Sequence, residues 1–356
     1  MDSAVVGAAA RQGEEGDDGA ACVGRSRGVA ARVWRRCRAR RGSGIAVSPK
    51  RSAFIDVGTN TVLCLIADLR ESGRFRVLDD FSEIVGLGRG VDQTGRISAA
   101  GEERCGETLE RYRAHCDHLG VEEIFAVGTS ALRDAANSAE VKARLSARLG
   151  ADIRVISGDQ EAAYSFLAVQ RGLSLSGELL AIDIGGGSTE FMRGNADALS
   201  RAVSVDIGSV RLTERFLHSD PVRAEEVAAL NDAVDRALAR LGTEFLPSER
   251  PLTLVGIAGT FTTLAAVAKQ LERYNHAEVH GSRLSRAEVR RQIDLYRRNT
   301  IAERKKIAGL EPKRADVILA GACLSDRIMD LFRADGVLVS DQGVRYGLLY
   351  ERAQWG

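Results

Sequence analysis

Aromatic residues make up only 5% of this 356-residue chain, and proline and histidine occur 5 times each. No apolar run is long enough to span a bilayer, and no charged-then-apolar segment opens the chain. The expectation is therefore a cytoplasmic protein with no membrane contact. Six cysteines (22, 37, 64, 105, 116 and 323) are scattered without a Cys-x-x-Cys pair, which argues against a disulfide framework and a zinc ribbon. Neither sign of charge prevails: 50 Lys and Arg stand against 49 Asp and Glu, so no global basic field recommends a nucleic-acid partner. A Gly-x-Ser-x-Gly nucleophile elbow is missing, as is a Gly-x4-Gly-Lys-Ser/Thr phosphate loop. His276 and His280 are four apart but lack the glutamate that a zinc-protease helix places after its first histidine. They read as part of a surface loop or helix face.

Glycine, by contrast, is abundant at 37 residues, and hydrophobic residues at 44% can build a substantial core. The length suits two domains. Residues 1–24 are rich in Ala and Gly, while residues 25–50 carry nine Lys and Arg and no acid. Without a sustained apolar period this stretch cannot offset its ordering entropy, so 1–50 reads as a disordered basic extension. Its sharper reading is an anion-binding arm.

From Arg51 onward strands and helices alternate. Short apolar runs at 53–57, 62–68 and 75–78 predict strands, with others at 124–127 and 153–156; helical spacing covers 99–119, 137–149 and 161–173. Then the opening signature returns. Phe54-Ile55-Asp56-Val57-Gly58-Thr59-Asn60-Thr61 is matched by a strand at 179–184 ending Asp183-Ile184-Gly185-Gly186-Gly187-Ser188-Thr189. The repeat predicts two related α/β halves, 51–175 and 176–356, each a mixed five-stranded sheet flanked by helices. In the second half, helices are expected at 222–242, 261–271, 285–300, 313–333 and 344–353, and strands at 190–192, 252–257 and 337–340.

An Asp-x-Gly turn lets backbone approach a ligand without a Cβ clash, and its successive N–H groups form an anion nest to which hydroxyls add donors. Gly58, Thr59, Asn60 and Thr61 make one such nest, Gly185, Gly186, Gly187 and Ser188 a second, and Gly259 and Thr260 a third element after another strand. Asp56 and Asp183 at the strand ends would repel phosphate unless they hold a divalent cation, Mg2+ or Mn2+, through water. Arg133 stands just beyond a strand end, where its guanidinium can pair with phosphate or with Asp134 or another nearby acid. Arg314, beside Lys313, and the Lys305-Lys306 pair can reach a polyanion or be merely solvated.

Together with Gly128–Asn137, Ile156-Ser157-Gly158-Asp159-Gln160-Glu161-Ala162, Arg314-Ala315-Asp316 and Ser340-Asp341-Gln342-Gly343-Val344-Arg345, these strings resemble the exopolyphosphatase and guanosine pentaphosphate phosphohydrolase (Ppx/GppA) family from about residue 51 onward. The resemblance implies two ribonuclease-H-like domains of the actin-like ATPase superfamily with a phosphate-binding cleft between them. It implies hydrolysis of a terminal phosphoanhydride with a divalent cation, and a link to the stringent response. Inorganic polyphosphate or guanosine penta- or tetraphosphate would be the partner, and a homodimer the assembly. Glu161 matches the catalytic glutamate of the family, although it also reads as a first-turn helix acid. Glu190 follows the second loop as in the family and reads either as support for metal or water, or as a plain strand residue. Departures stand beside these matches. Val62-Leu63 replaces a basic residue of many relatives, Gly86 precedes Leu87-Gly88 where many have a base (Arg89 is a candidate substitute), and Gln160 takes the place of a carboxylate. The leading expectation is an exopolyphosphatase. The alternatives are removal of the γ-phosphate from guanosine pentaphosphate, and a weakly catalytic sensor of the guanosine compounds.

Overall fold

The computed structural model describes residues 49–70, 73–242, 245 and 252–355. The extension expected at 1–50 lies outside these residues apart from Pro49 and Lys50. The strands are β1 (Lys50–Val57), β2 (Thr61–Leu69), β3 (Phe75–Ile84), β4 (Glu123–Gly128), β5 (Ile153–Val155), β6 (Glu178–Ile184), β7 (Thr189–Asn195), β8 (Leu199–Val205), β9 (Leu252–Ile257), β10 (Arg283–Ser285) and β11 (Gly336–Val339). The helices of the first half and the crossover are α1 (Val91–Thr94), α2 (Ala99–Leu119), α3 (Ser130–Asp134), α4 (Ser138–Leu149) and α5 (Gly158–Gly172). Those that follow are α6 (Ser209–Phe216), α7 (Ala224–Leu238), α8 (Ala258–Ala268), α9 (His276–Val279), α10 (Arg286–Arg298), α11 (Ile301–Arg304), α12 (Ile318–Leu331) and α13 (Val344–Trp355).

Two open mixed sheets result, ordered β3-β2-β1-β4-β5 and β8-β7-β6-β9-β11-β10. In each, the first three strands in sequence meander antiparallel, and the next strands join parallel to the first. The second sheet thus repeats the first and adds a sixth strand, β10, antiparallel at its edge. That strand and β8 are missing from the pattern of apolar runs because one is three residues long and the other is half-exposed along its length.

Burial explains the layers. On β1, Ala53, Ile55 and Val57 join the core beneath α2 and α4, and Phe54 points to the opposite face with Leu348 and Leu349 of α13. This is the two-residue period of a central strand buried on both sides. On β6, Leu180, Ile182 and Ile184 belong to the core with α7, α8, α10 and α12, whereas Leu179 and Ala181 meet Ala162, Phe166 and Val169 of α5. The chain's final helix therefore covers the first sheet, and α5 covers the second. The two helices touch: a Cβ on Gly347 of α13 would lie 2.1 Å from the carbonyl oxygen of Tyr164 in α5. Tyr164 Oη also donates to Glu351 Oε2 at 3.1 Å.

Helix ends are set locally. Ser157 caps α5 through a reciprocal box: its Oγ accepts from Gln160 N at 3.2 Å while Gln160 Oε1 accepts from Ser157 N at 3.1 Å. The helix expected at 313–333 is instead a short 3-10 turn, Pro312–Arg314, followed by α12 from Ile318. Arg314 consequently sits in a turn rather than on a helix face. None of the described helices is long and apolar enough to cross a membrane.

Candidate active site

The two glycine loops close in the same way. Gly58 N donates to Thr61 O at 3.0 Å after β1, and Gly185 N donates to Ser188 O at 3.0 Å after β6. Both loops lie at the carboxyl ends of central strands, where open α/β sheets place their ligands. They also press against each other. A Cβ on Gly186 would press on Thr59 at 3.0 Å, and one on Gly187 would meet Ser130 Oγ at 2.5 Å and force that side chain to move. The third element follows β9: Ala258 adopts a left-handed backbone (φ 65°), Gly259 lies flat beneath the Arg314 guanidinium, and buried Thr260 donates to Ile184 O at 3.4 Å. Arg314 reaches across to donate to Thr61 Oγ1 at 3.2 Å. These loops line one cavity of about 520 Å3, together with Asp56, Asp183 and Glu161.

Four carboxylates converge beneath the loops. Asp56 and Asp183 are over nine-tenths buried, and Glu190 is 1% exposed. Asp183 and Glu190 are direct partners in the antiparallel register of β6 and β7, a like-charge pairing that a sheet tolerates only at a cost. Ser165 Oγ of α5 donates to Asp183 Oδ2 at 2.9 Å, and Ser204 Oγ of β8 donates to Glu190 Oε1 at 2.7 Å. Burial, reinforced by the Asp183 charge, pushes Asp56 up to about 7. Burial pushes Asp183 up to about 6 against the Ser165 hydrogen bond. Burial and the charges of Asp56 and Asp183 raise Glu161 to about 8, against the pull of Arg133. Burial and the charges of Glu161 and Asp183 carry Glu190 well above the carboxylate range.

Arg133 is turned to Glu161 Oε2 at 3.1 Å and to Ile156 O at 3.2 Å, with Asp134 at 3.7 Å. It is absent from the cavity wall, as are Glu190 and Thr260. Among the four carboxylates, Glu161 thus faces the cavity from a helix first turn while Arg133 holds it from behind. Gln160, the residue that departs from the carboxylate pattern, serves as the capping partner of Ser157.

A hard divalent cation suits this donor set. Asp56 Oδ1 and both polar side-chain atoms of Asn60 are buried without a hydrogen-bond partner among the described residues. The concentrated negative charge calls for a counter-ion. No group of three or more His, Cys, Asp or Glu among the described residues is arranged to hold a metal directly, so water would have to complete the shell.

The remainder of the cavity was less visible in the sequence. Asp80 of β3 forms a buried two-pronged pair with Arg345 (2.8 and 2.9 Å) and accepts from Tyr346 Oη at 3.0 Å. Lys313 pairs with Glu83 of β3 at 2.8 Å, and Arg89 with Asp316 at 2.8 Å. His276 lies exposed on α9, as a surface helix face would have it, but it and the more buried His280 also converge on buried Asp341. Their i,i+4 spacing was the available signal, but the carboxylate that joins them is far along the chain.

A family model described as the Ppx/GppA phosphatase family matches residues 65–354. Exopolyphosphatase 2 of Mycobacterium tuberculosis is 35% identical over 312 residues, covering 84% of this chain and 97% of that protein. The bifunctional 3-dehydroquinate synthase/phosphatase of Fusobacterium nucleatum is 32% identical over 311 residues; these cover 84% of this chain but only 46% of that longer protein. The crystal structure of an exopolyphosphatase from Cytophaga hutchinsonii superposes with a TM-score of 0.79 at 32% identity, covering 86% of this chain and 98% of that one. The two-lobed α/β fold is accordingly that of these proteins. The chain belongs to the Ppx/GppA phosphatase family and is an enzyme of the phosphoanhydride-hydrolase class.

Proposed function

We propose that the protein is an exopolyphosphatase, removing orthophosphate from the end of inorganic polyphosphate. The observation that carries this reading is the placement of Glu161, held by Arg133, in the wall of a cavity shared by both phosphate nests. Phosphoryl transfer requires mainly positioning and neutralisation of charge on the non-bridging oxygens. Backbone N–H groups within the Gly58–Thr61 and Gly185–Ser188 loops, other than those of Gly58 and Gly185 that close the turns, grip the terminal phosphate from the two lobes, and Arg314 adds positive charge at the Thr61 edge. Asp56 and Asp183 would hold Mg2+ or Mn2+ through water, and the cation would offset charge on the phosphate oxygens. Glu161 orients the attacking water and accepts its proton. Arg133, Ser165 and Glu190 act from behind: Arg133 fixes Glu161, Ser165 fixes Asp183, and Glu190 fixes the local field.

The rival substrate, guanosine pentaphosphate, needs contacts to a base and ribose as well. The chain has Val62-Leu63 where many relatives carry a basic residue, and Arg89 is engaged with Asp316. These features favour the inorganic chain. Phosphate release with Mg2+ is to be compared for long polyphosphate, guanosine pentaphosphate and ATP. Release from polyphosphate well ahead of the other two is expected, whereas preferential release from the guanosine compound would transfer the assignment to the rival.

A further inference from the structure

We propose that His276 is a second anion-binding point in the cavity, gripping a phosphate group of the substrate other than the one released. This rests on the phosphoanhydride reading above and adds a residue that the loop motifs do not contain. His276 lines the cavity with Asp341, Arg345 and Tyr274. Its Nδ1 is bonded to Asp341 Oδ2, which leaves Nε2 as the ring's other hydrogen-bonding atom. The ring is half-exposed while Asp341 is buried, and Tyr274 stands edge-on to it with centroids 5.1 Å apart. His280 shares the same carboxylate, but its Nε2 faces Gly172 O at 3.1 Å and it does not line the cavity.

The other cations of this part of the wall serve elsewhere. Arg345 is clamped on Asp80, Lys313 pairs with Glu83, and Arg314, bonded to Thr61, belongs to the terminal-phosphate site. His276 therefore offers a cationic donor held in place by a buried carboxylate and directed at an open space. Its charge has a clear origin. The hydrogen bond and charge of Asp341, with a contribution from Asp80, favour the protonated ring, against burial and Arg345. The helix packed beside it, α8, carries no titratable side chain, and Glu272 is a further acid in the cavity wall. A protonated imidazole bound to carboxylate on one side and phosphate on the other is a charge-assisted arrangement. Asp341, which holds His276, follows β11, two strands away from β6 in the second sheet and so about 10 Å from the Gly185–Ser188 nest that presses against Thr59. The phosphate His276 meets is therefore a different one from that gripped by the nests.

The test is the KM and kcat of wild type and His276→Gln with long polyphosphate and with guanosine pentaphosphate, from about pH 6 to about pH 9. The expected result is a KM raised about tenfold at the acid end with kcat changed far less, the difference shrinking as pH rises and His276 loses its proton. A KM effect confined to polyphosphate identifies an inner phosphate of the inorganic chain. One confined to the guanosine compound identifies its 3′-diphosphate. Equal KM values for variant and wild type on both substrates at every pH overturn the proposal. Should wild type release phosphate from neither, the hydrolase reading fails separately. Direct binding of long polyphosphate then decides: weaker binding by His276→Gln supports the anion point and equal binding removes it.

Discussion

Asp183 and Glu190 face each other across β6 and β7, and Asp56 and Glu161 crowd the same volume, so ionising this cluster costs stability. All four have raised proton affinities in the fold. Below the ordinary carboxylate range the groups are neutral in both folded and unfolded chains, and no penalty arises. From the ordinary carboxylate range up to about 6 for Asp183 and about 8 for Glu161, the unfolded chain ionises while the folded state keeps its protons, so stability falls and the loss is complete once pH has passed those values. Cation-free protein should therefore lose melting temperature between mildly acidic and mildly alkaline pH. If the ionised cluster holds a cation as proposed, added Mg2+ should restore more at the alkaline end. Asp183→Asn should flatten that fall and stabilise the cation-free protein by about 2 kcal/mol near neutral pH, while abolishing turnover. Thermal melts across pH with and without Mg2+ check this; a cation effect independent of pH would contradict it. Arg133 gives a second prediction at this scale. Because it contacts Glu161 rather than the cavity, Arg133→Met should lower kcat about tenfold with KM nearly unchanged. A rise in KM alone would instead mean that it binds phosphate. Both partners of Arg133 were conceivable from sequence, as phosphate or a nearby acid, but only tertiary convergence selects Glu161, twenty-eight positions on.

Among the elements, α5 connects local sequence to chemistry most directly. Ser157 caps the helix whose first turn carries Glu161, and Ser165, one turn further on the same face, steadies Asp183. Ser157→Ala should cost about 1 kcal/mol of stability. It should also lower kcat, since a frayed first turn displaces Glu161; unchanged turnover in a destabilised variant would separate the cap from the site. Ala258, with its left-handed backbone at the start of α8, is the strained position of the third loop. Ala258→Gly should raise stability by about 0.5–1 kcal/mol in denaturant unfolding, and a loss of stability would show that the methyl group packs usefully. Most central strands and long helices were legible because their burial is strong and periodic: α2 spans 99–119 as expected and β9 spans 252–257. The misses have physical reasons. β8 and β10 are short or weakly buried edges, and the helix expected at 222–242 runs from Ala224, where Glu226 boxes Arg223, to Leu238.

The whole molecule shows why the site could be partly read in advance. Repetition put one Asp-x-Gly loop at the end of each central strand, and both loops close with the same N–H to carbonyl hydrogen bond. What repetition does not carry are the ties between lobes: Lys313 to Glu83, Arg89 to Asp316, and Arg211 and Arg215 to Asp92. Those pairs join residues distant in the chain and leave no local signature. In the proposed mechanism Glu161, positioned by Arg133 between two phosphate nests, orients the water that releases terminal phosphate. That role is tested most directly by measuring phosphate release and polyphosphate binding for wild type and Glu161→Gln in parallel, with Mg2+ present. The variant is expected to bind polyphosphate as wild type does while its release falls at least about a hundredfold. Release at the wild-type rate by Glu161→Gln would contradict it.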